Sequence, residues 1–273
     1  PDLAVGTVFG SNLFNLLIIG MMELTILGPS LLSSISRPTK LSMVFSGILI
    51  FAAICLLVSM QSGSEYPALL KNLATSLLII MYASLLWLLH RAEVPDDFSQ
   101  PTIPNDARAP LTKAIGIYVL STALIALASI GLSIAGENIG LLTGLSASFI
   151  GSLLIALSTS LPEVATSFAA LRIGSPDMAI SNMTGSNLFN TGIVLFTSDL
   201  AFQVAQDGHL LAVVSNTHLI TASISLVMTI VVATGAYLGS RNRKKYGSLT
   251  VGTFTLIALF LAAQYWAFAH SPI

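Results

Sequence analysis

One fifteen-residue segment occurs twice in this chain, and the apolar pattern around it makes the two copies run in opposite directions. Residues 1–15 read PDLAVGTVFGSNLFN and residues 176–190 read PDMAISNMTGSNLFN, identical at nine of fifteen positions. A shared GSNLFN at matched spacing is the mark of an internal duplication. Both copies sit in apolar stretches of about 20 residues, the length that crosses a bilayer core. Eight such stretches fall near 3–27, 41–61, 70–90, 112–132, 141–171, 177–199, 209–238 and 249–269. Counting crossings, the first copy descends where the second ascends, so the duplication is inverted.

Composition agrees with this reading. The chain is 54% hydrophobic and 8% charged, against about 25% charged residues in soluble domains. The expected fold class is all-α: a polytopic membrane protein with inverted repeats, five plus five helices in the parent and about eight here. Basic residues set the orientation. Arg37, Lys40, Arg91, Arg108, Lys113, Arg172, Arg241, Arg243, Lys244 and Lys245 share one side, and Lys71 alone takes the other. The basic side reads as cytoplasmic, which places both chain ends outside. Cys55 is the single cysteine, so no disulfide is expected. No basic patch suited to nucleic acid is present.

Three regions follow. Residues 1–90 are the remainder of a first repeat, about three helices. Residues 91–111, with Glu93, Asp96, Asp97, Asp106 and four prolines, are a solvated cytoplasmic linker. Residues 112–273 are a second repeat of five helices. The second copy follows a helix containing STSLPE, whereas nothing precedes the first copy. The expectation is that two helices of the parent lie ahead of Pro1, one of them carrying TSxPE or a close variant.

The polar residues inside these spans carry the chemistry. Glu163 lies mid-span in IGSLLIALSTSLPEVATS, and an intramembrane carboxylate is costly unless it has a partner or a task. Thr159 and Ser160 lie within a turn of it, and Thr159 shares its face at i,i+4. Pro162 lacks an amide hydrogen and is expected to kink the helix, freeing a carbonyl. Ser186 and Asn190 form a second i,i+4 pair, and Ser11 and Asn15 repeat it. Together they offer an all-oxygen shell, which suits a hard cation such as calcium, or sodium. Asn12 and Asn187 are expected to be structural or supporting hydrogen bonders. Gly10 and Gly185 are expected to admit close helix packing. Glu23, Glu137 and Asp199 lie toward span ends, as ion-path or interfacial charges. The four histidines have no metal spacing, and His218 is expected to be a satisfied helix contact.

The motifs STSLPEVATS at 158–167, SNMTGSNLFNTG at 181–192 and GTVFGSNLFNLLIIG at 6–20 resemble the calcium:cation antiporter superfamily, most of all the sodium/calcium exchangers. The resemblance implies a central site built from Thr159, Ser160 and Glu163 of one repeat helix and Ser186 and Asn190 of the next. Ser11 and Asn15 would be the first-repeat counterparts. Ser158, Ser181 and Thr7 depart from the usual Gly, Gly and Asn. Asparagine at both 15 and 190 resembles the potassium-independent exchangers, and STSLPE differs from the proton/calcium pattern.

The implied activity is exchange of sodium for calcium by alternating access, without catalytic residues or a cofactor. Calcium and sodium are the transported ions. The alternatives are a proton/divalent-cation exchanger and, in another class, a cation channel or a non-transporting scaffold. The expected partners are the lipid bilayer and the parent's own N-terminal helices, in a monomer of a plasma or inner membrane.

Overall fold

The structure is a computed structural model and describes residues 1–25, 31–62, 68–92, 111–206, 208–239 and 246–270. Among these residues every regular element is helical. In chain order, α1 is Asp2–Thr25, α2 is Arg37–Gln61, α3 is Ala68–Ala92 and α4 is Leu111–Thr143. The helix α5 spans Ala147–Arg172 and α6 spans Pro176–Gln206. A short α7, Leu210–Val213, leads into α8, Thr217–Gly239, and α9 is Tyr246–His270. Among the described residues, seven helices are long and apolar enough to cross a membrane. α3 adds a shorter described apolar part, Ser76–Ala92. The acidic linker and the basic run 241–245 lie outside the described residues.

Several features differ from the sequence reading, beginning with the spans expected at 112–132 and 177–199, which run on to Thr143 and Gln206. The span expected at 141–171 begins at Ala147. Gly144 stops the preceding helix at φ +70°, a backbone that glycine adopts without steric cost. The span expected at 209–238 is broken at 214–216, where Ser215 Oγ accepts the Thr217 amide and a fresh helix starts. Pro162 does not interrupt its helix, which runs unbroken from Ala156 to Arg172. The irregular turns lie elsewhere, as π-helix at Ile150–Ile155 in α5 and Asn190–Val194 in α6. Such wide turns are frequent at functional sites.

The helix α1 is central. In its apolar window 78% of residues are buried, against 28% in α6, so the first copy of the repeat is enclosed and the second forms part of the wall. Helices in lipid associate through close packing rather than hydrophobic expulsion, and small residues supply it. A Cβ on Gly10 would fall on the Ser152 backbone, and one on Gly151 would lie 2.5 Å from Leu3 O. A Cβ on Gly185 would meet no described atom within 4 Å beyond its own stretch of helix. The expected close approach therefore exists at Gly10 and not at Gly185. Leu13, Leu16 and Ile19 then pack into one cluster with Ile180, Met183 and Met228. Val5 and Phe9 pack into another with Leu195, Leu210 and Ala222.

The inverted repeat also writes its own helix caps. Asp2 Oδ1 accepts the Ser215 amide before α8 at 2.7 Å. Its counterpart, Asp177 Oδ1, accepts the Ser36 amide before α2 at the same 2.7 Å. Ser175, the N-cap residue of α6, makes no side-chain cap bond. At the other helix ends, Glu23 Oε2 accepts the Leu32 amide at 3.3 Å and Asp199 Oδ1 accepts the Leu210 amide at 2.7 Å. Asp199 is buried and also holds Gln203 and His209. Each acid thus satisfies a backbone N–H beside a helix start. Glu137 is exposed on α4.

Candidate functional site

Three helices, α1, α5 and α6, meet pairwise through polar side chains in the apolar interior. Between α5 and α6, Ser186 Oγ donates to Glu163 Oε1 at 3.2 Å. Between α5 and α1, the Ser11 and Thr159 hydroxyls lie 3.5 Å apart. The Thr159 proton is committed to the Ile155 carbonyl at 2.9 Å, so Ser11 is the donor across this gap. Between α1 and α6 four asparagines interlock. Asn15 Nδ2 donates to Asn187 Oδ1 at 2.9 Å, and Asn190 Nδ2 donates to Asn12 Oδ1 at 3.2 Å. Asn12 corresponds to Asn187 and Asn15 to Asn190, so each bond is the other's image under the pseudo-two-fold of the repeat.

The geometry follows from the sequence. In GSNLFN the serine, first asparagine and second asparagine fall at i, i+1 and i+4. The i and i+4 groups share one helix face, and the i+1 asparagine is turned about 100° away. Two antiparallel copies placed face to face bring each i+4 amide onto the other's i+1 amide. Asn12, Asn15 and Asn187 are at most 1% exposed, and Ser11 is 6% exposed. A buried amide must be hydrogen-bonded or hold a ligand. Asn15 Oδ1 is buried with no hydrogen-bond partner.

Glu163 is half-buried, and among the described residues no lysine, arginine or histidine pairs with it. Its neighbourhood is fixed from behind by Asn182. That side chain donates to the Glu163 carbonyl at 3.2 Å and to Thr166 Oγ1 and Ser167 Oγ, both at 2.9 Å. Ser167 in turn donates to the Ala179 carbonyl. Asn182 thereby fastens the Glu163 turn to α6, a duty absent from the first copy, where Thr7 bonds only to its own helix.

The seven sequence-predicted residues divide accordingly. Glu163 with Ser186, and Thr159 with Ser11, form two pairs, and no described hydrogen bond links one pair to the other. Asn15 and Asn190 are joined to the opposite copy. Ser160 is buried at 2% exposure and shares no described hydrogen bond with the other six. Residues that sequence reasoning left in a supporting role, Asn12 and Asn187, are the partners of Asn190 and Asn15. Thr191 was not singled out, and its hydroxyl accepts from Asn12 Nδ2 at 2.9 Å. Its signal was present, since Thr191 stands where the first copy has Leu16. Gly192 in the π turn lies against the Tyr82 ring. His218, expected to be satisfied, bonds through Nε2 to Asp2 at 2.9 Å and to Ser148 at 3.2 Å, and its buried Nδ1 has no partner.

Comparison with known proteins bears on this site. A family profile described as sodium/calcium exchanger protein matches residues 113–269. The chain is 32% identical over 206 residues to the inner membrane protein YrbG of Escherichia coli K12, covering 71% of this chain and 58% of that protein. It is 33% identical over 200 residues to the putative antiporter CaxA of Alkalimonas amylolytica, covering 71% and 59%. It is 28% identical over 153 residues to the bovine sodium/potassium/calcium exchanger 1, covering 56% and 12%. The chain therefore spans somewhat over half the length of the first two. No solved structure matches it.

Proposed function

The chain belongs to the sodium/calcium exchanger protein family, and we propose that it forms part of an antiporter that carries calcium one way and sodium the other. The observation that carries this reading is Glu163, a carboxylate in a membrane helix whose only described side-chain partner is the Ser186 hydroxyl. A carboxylate so placed calls for a cation to offset its desolvation. The ligand set we assign is Glu163, Thr159, Ser160, Ser186, Asn190, Ser11 and Asn15. It contains carboxylate, hydroxyl and amide oxygen and no soft donor, which suits calcium and sodium.

The cycle we propose is alternating access. Calcium or sodium neutralises Glu163, and the loaded site passes between the two faces. The empty, ionised site is too costly to enclose, and this suppresses leak. The basic bias among the loops supports cytoplasmic placement of that side and outward placement of both chain ends. Potassium independence is part of the proposal, supported by the asparagines at both 15 and 190, which resemble those of the potassium-independent exchangers.

The test is calcium-45 uptake into proteoliposomes holding the full-length parent, under sodium, potassium and proton gradients in turn. Uptake that follows the sodium gradient alone is expected. Uptake that ignores sodium and follows protons would replace this reading with proton/divalent-cation exchange. Sustained current without a counter-ion would indicate a channel, and absence of any flux a scaffold.

A further inference from the structure

We propose that Gln264 is a positioning residue: from the last helix it holds the wide turn of α5 in place, and so sets the angle at which Thr159, Ser160 and Glu163 face the bundle. The inference rests on the proposed cation site, but its argument is the hydrogen-bond ladder of α5. In a regular helix each amide reaches the carbonyl four residues back. At the end of the wide turn Ile150–Ile155 the Ala156 amide instead bonds to the carbonyls of Gly151 and Leu153, and it passes over Ser152. The Ser152 carbonyl is thus left without its α-helical donor. Inside a bilayer such a group is costly unless a neighbouring helix satisfies it.

Gln264 supplies the missing donor from α9. Its Nε2 donates to the Ser152 carbonyl at 3.2 Å, and its Oε1 accepts from the Ser152 hydroxyl at 3.2 Å. Both residues are buried. The Ser152 proton is shared with the Phe149 carbonyl, also at 3.2 Å, so the bond to the skipped carbonyl is the one that only Gln264 provides. Phe268 lies four residues after Gln264, on the same face of α9. Its ring meets the Phe149 ring edge-on at 5.4 Å, which seats this part of α9 on the start of α5.

The consequence falls on the residues after the turn. Closing a wide turn to a regular one changes the angle of the following helix by up to about 100°, the rotation of one residue. The segment before the turn is pinned, because α1 packs through Gly10 onto the Ser152 backbone and through Leu3 onto Gly151. The rotation would therefore be taken up by the segment that carries Thr159, Ser160 and Glu163. With Gln264 engaged, that segment brings Thr159 to Ser11 and Glu163 to Ser186. Without it, the wide turn loses the bond that offsets its skipped carbonyl, and the two pairs lose their alignment.

The experiment uses full-length protein in proteoliposomes and in detergent. Calcium-45 exchange, and amide hydrogen exchange read by mass spectrometry, are measured for wild type, Gln264→Met, Gln264→Leu and Ser152→Ala. Methionine keeps the length of glutamine and leucine its bulk, and neither can donate. Both are expected to raise the half-saturating calcium concentration by about tenfold or more, while the maximal rate changes by less than about threefold. Ser152→Ala keeps the carbonyl and is expected to stay within about threefold of wild type in both quantities. Amide exchange should quicken across residues 150–163 in the two Gln264 variants and stay at the wild-type level in α2. Unchanged half-saturating calcium in either Gln264 variant, or a loss in Ser152→Ala as large as theirs, overturns the proposal. Wild-type protein without any calcium response would instead sink the cation-site reading. Gln264 is then judged on amide exchange alone, where quickening across 150–163 supports its role and unaltered exchange overturns it.

Discussion

The two copies of PDxAxxxxxGSNLFN share a sequence and two sets of hydrogen bonds, those of the starting aspartates and those between the asparagines, yet they occupy different surroundings. In the first copy, α1 is enclosed and Gly10 is jammed against the Ser152 backbone. In the second, a Cβ on Gly185 would meet no described atom within 4 Å beyond its own stretch of helix, and Glu163 stands beside Ser186. The acids at the two starts make the same bond to an incoming helix, but only Asp2 also holds a histidine, His218. Duplication therefore transmits the polar contacts between copies, because those depend on spacing within the motif. It does not transmit environment, which depends on the other helices that pack against each copy.

Substitution at paired positions breaks this comparison most sharply at the glycines. Gly10→Ala is expected to destabilise the protein by roughly 1–3 kcal/mol or more, since the added methyl overpacks a backbone contact. Gly185→Ala should be neutral or stabilising by up to about 1 kcal/mol, the helix-propensity gain of alanine. Thermal unfolding in detergent checks both, and equal losses would contradict the asymmetry.

The paired aspartates give the next effect. Asp177→Ala should cost about 0.5–2 kcal/mol, as the loss of a helix cap does. Asp2→Ala should cost more, by about 1–3 kcal/mol, because it also removes one of the two partners of Nε2 on the buried His218. Replacing His218 by Gln in the Asp2→Ala background should recover little, and the same melting experiment reads it. A larger loss at Asp177 than at Asp2 would reverse the ranking.

The paired serines give the smallest effect on stability, within about 1 kcal/mol for either alanine variant, the net worth of one hydrogen bond. Calcium affinity should separate them. Ser186 touches the Glu163 carboxylate at 3.2 Å, whereas Ser11 reaches the Thr159 hydroxyl at 3.5 Å, the outer limit of such a bond. Ser186→Ala is therefore expected to weaken calcium binding more than Ser11→Ala, as measured by titration calorimetry.

Much of this arrangement is legible from residue order alone. The all-helical membrane architecture follows from apolar stretches of crossing length, and the pairing of α1 with α6 follows from the repeat. Glu163 stands out because carboxylates are rare at that depth. Other features depend on packing between distant segments. Nothing local to Gly185 distinguishes it from Gly10, since the difference lies in which helix reaches each. The π turns at 150–155 and 190–194 have no composition that separates them from α-helix. Pro162 illustrates the reverse. Its missing amide hydrogen suggests a break, yet the helix absorbs it. The break before α8 was available to a closer reading, because Ser215, Asn216 and Thr217 form a run of capping residues.

The central claim is that a cation meets the Glu163 carboxylate inside the bundle. Its most direct test is calcium-45 exchange by full-length protein carrying Glu163→Gln, which preserves side-chain size and removes the charge. The account predicts that sodium-driven calcium exchange is lost while the protein folds and melts as wild type does. Exchange at the wild-type rate in that variant would contradict it.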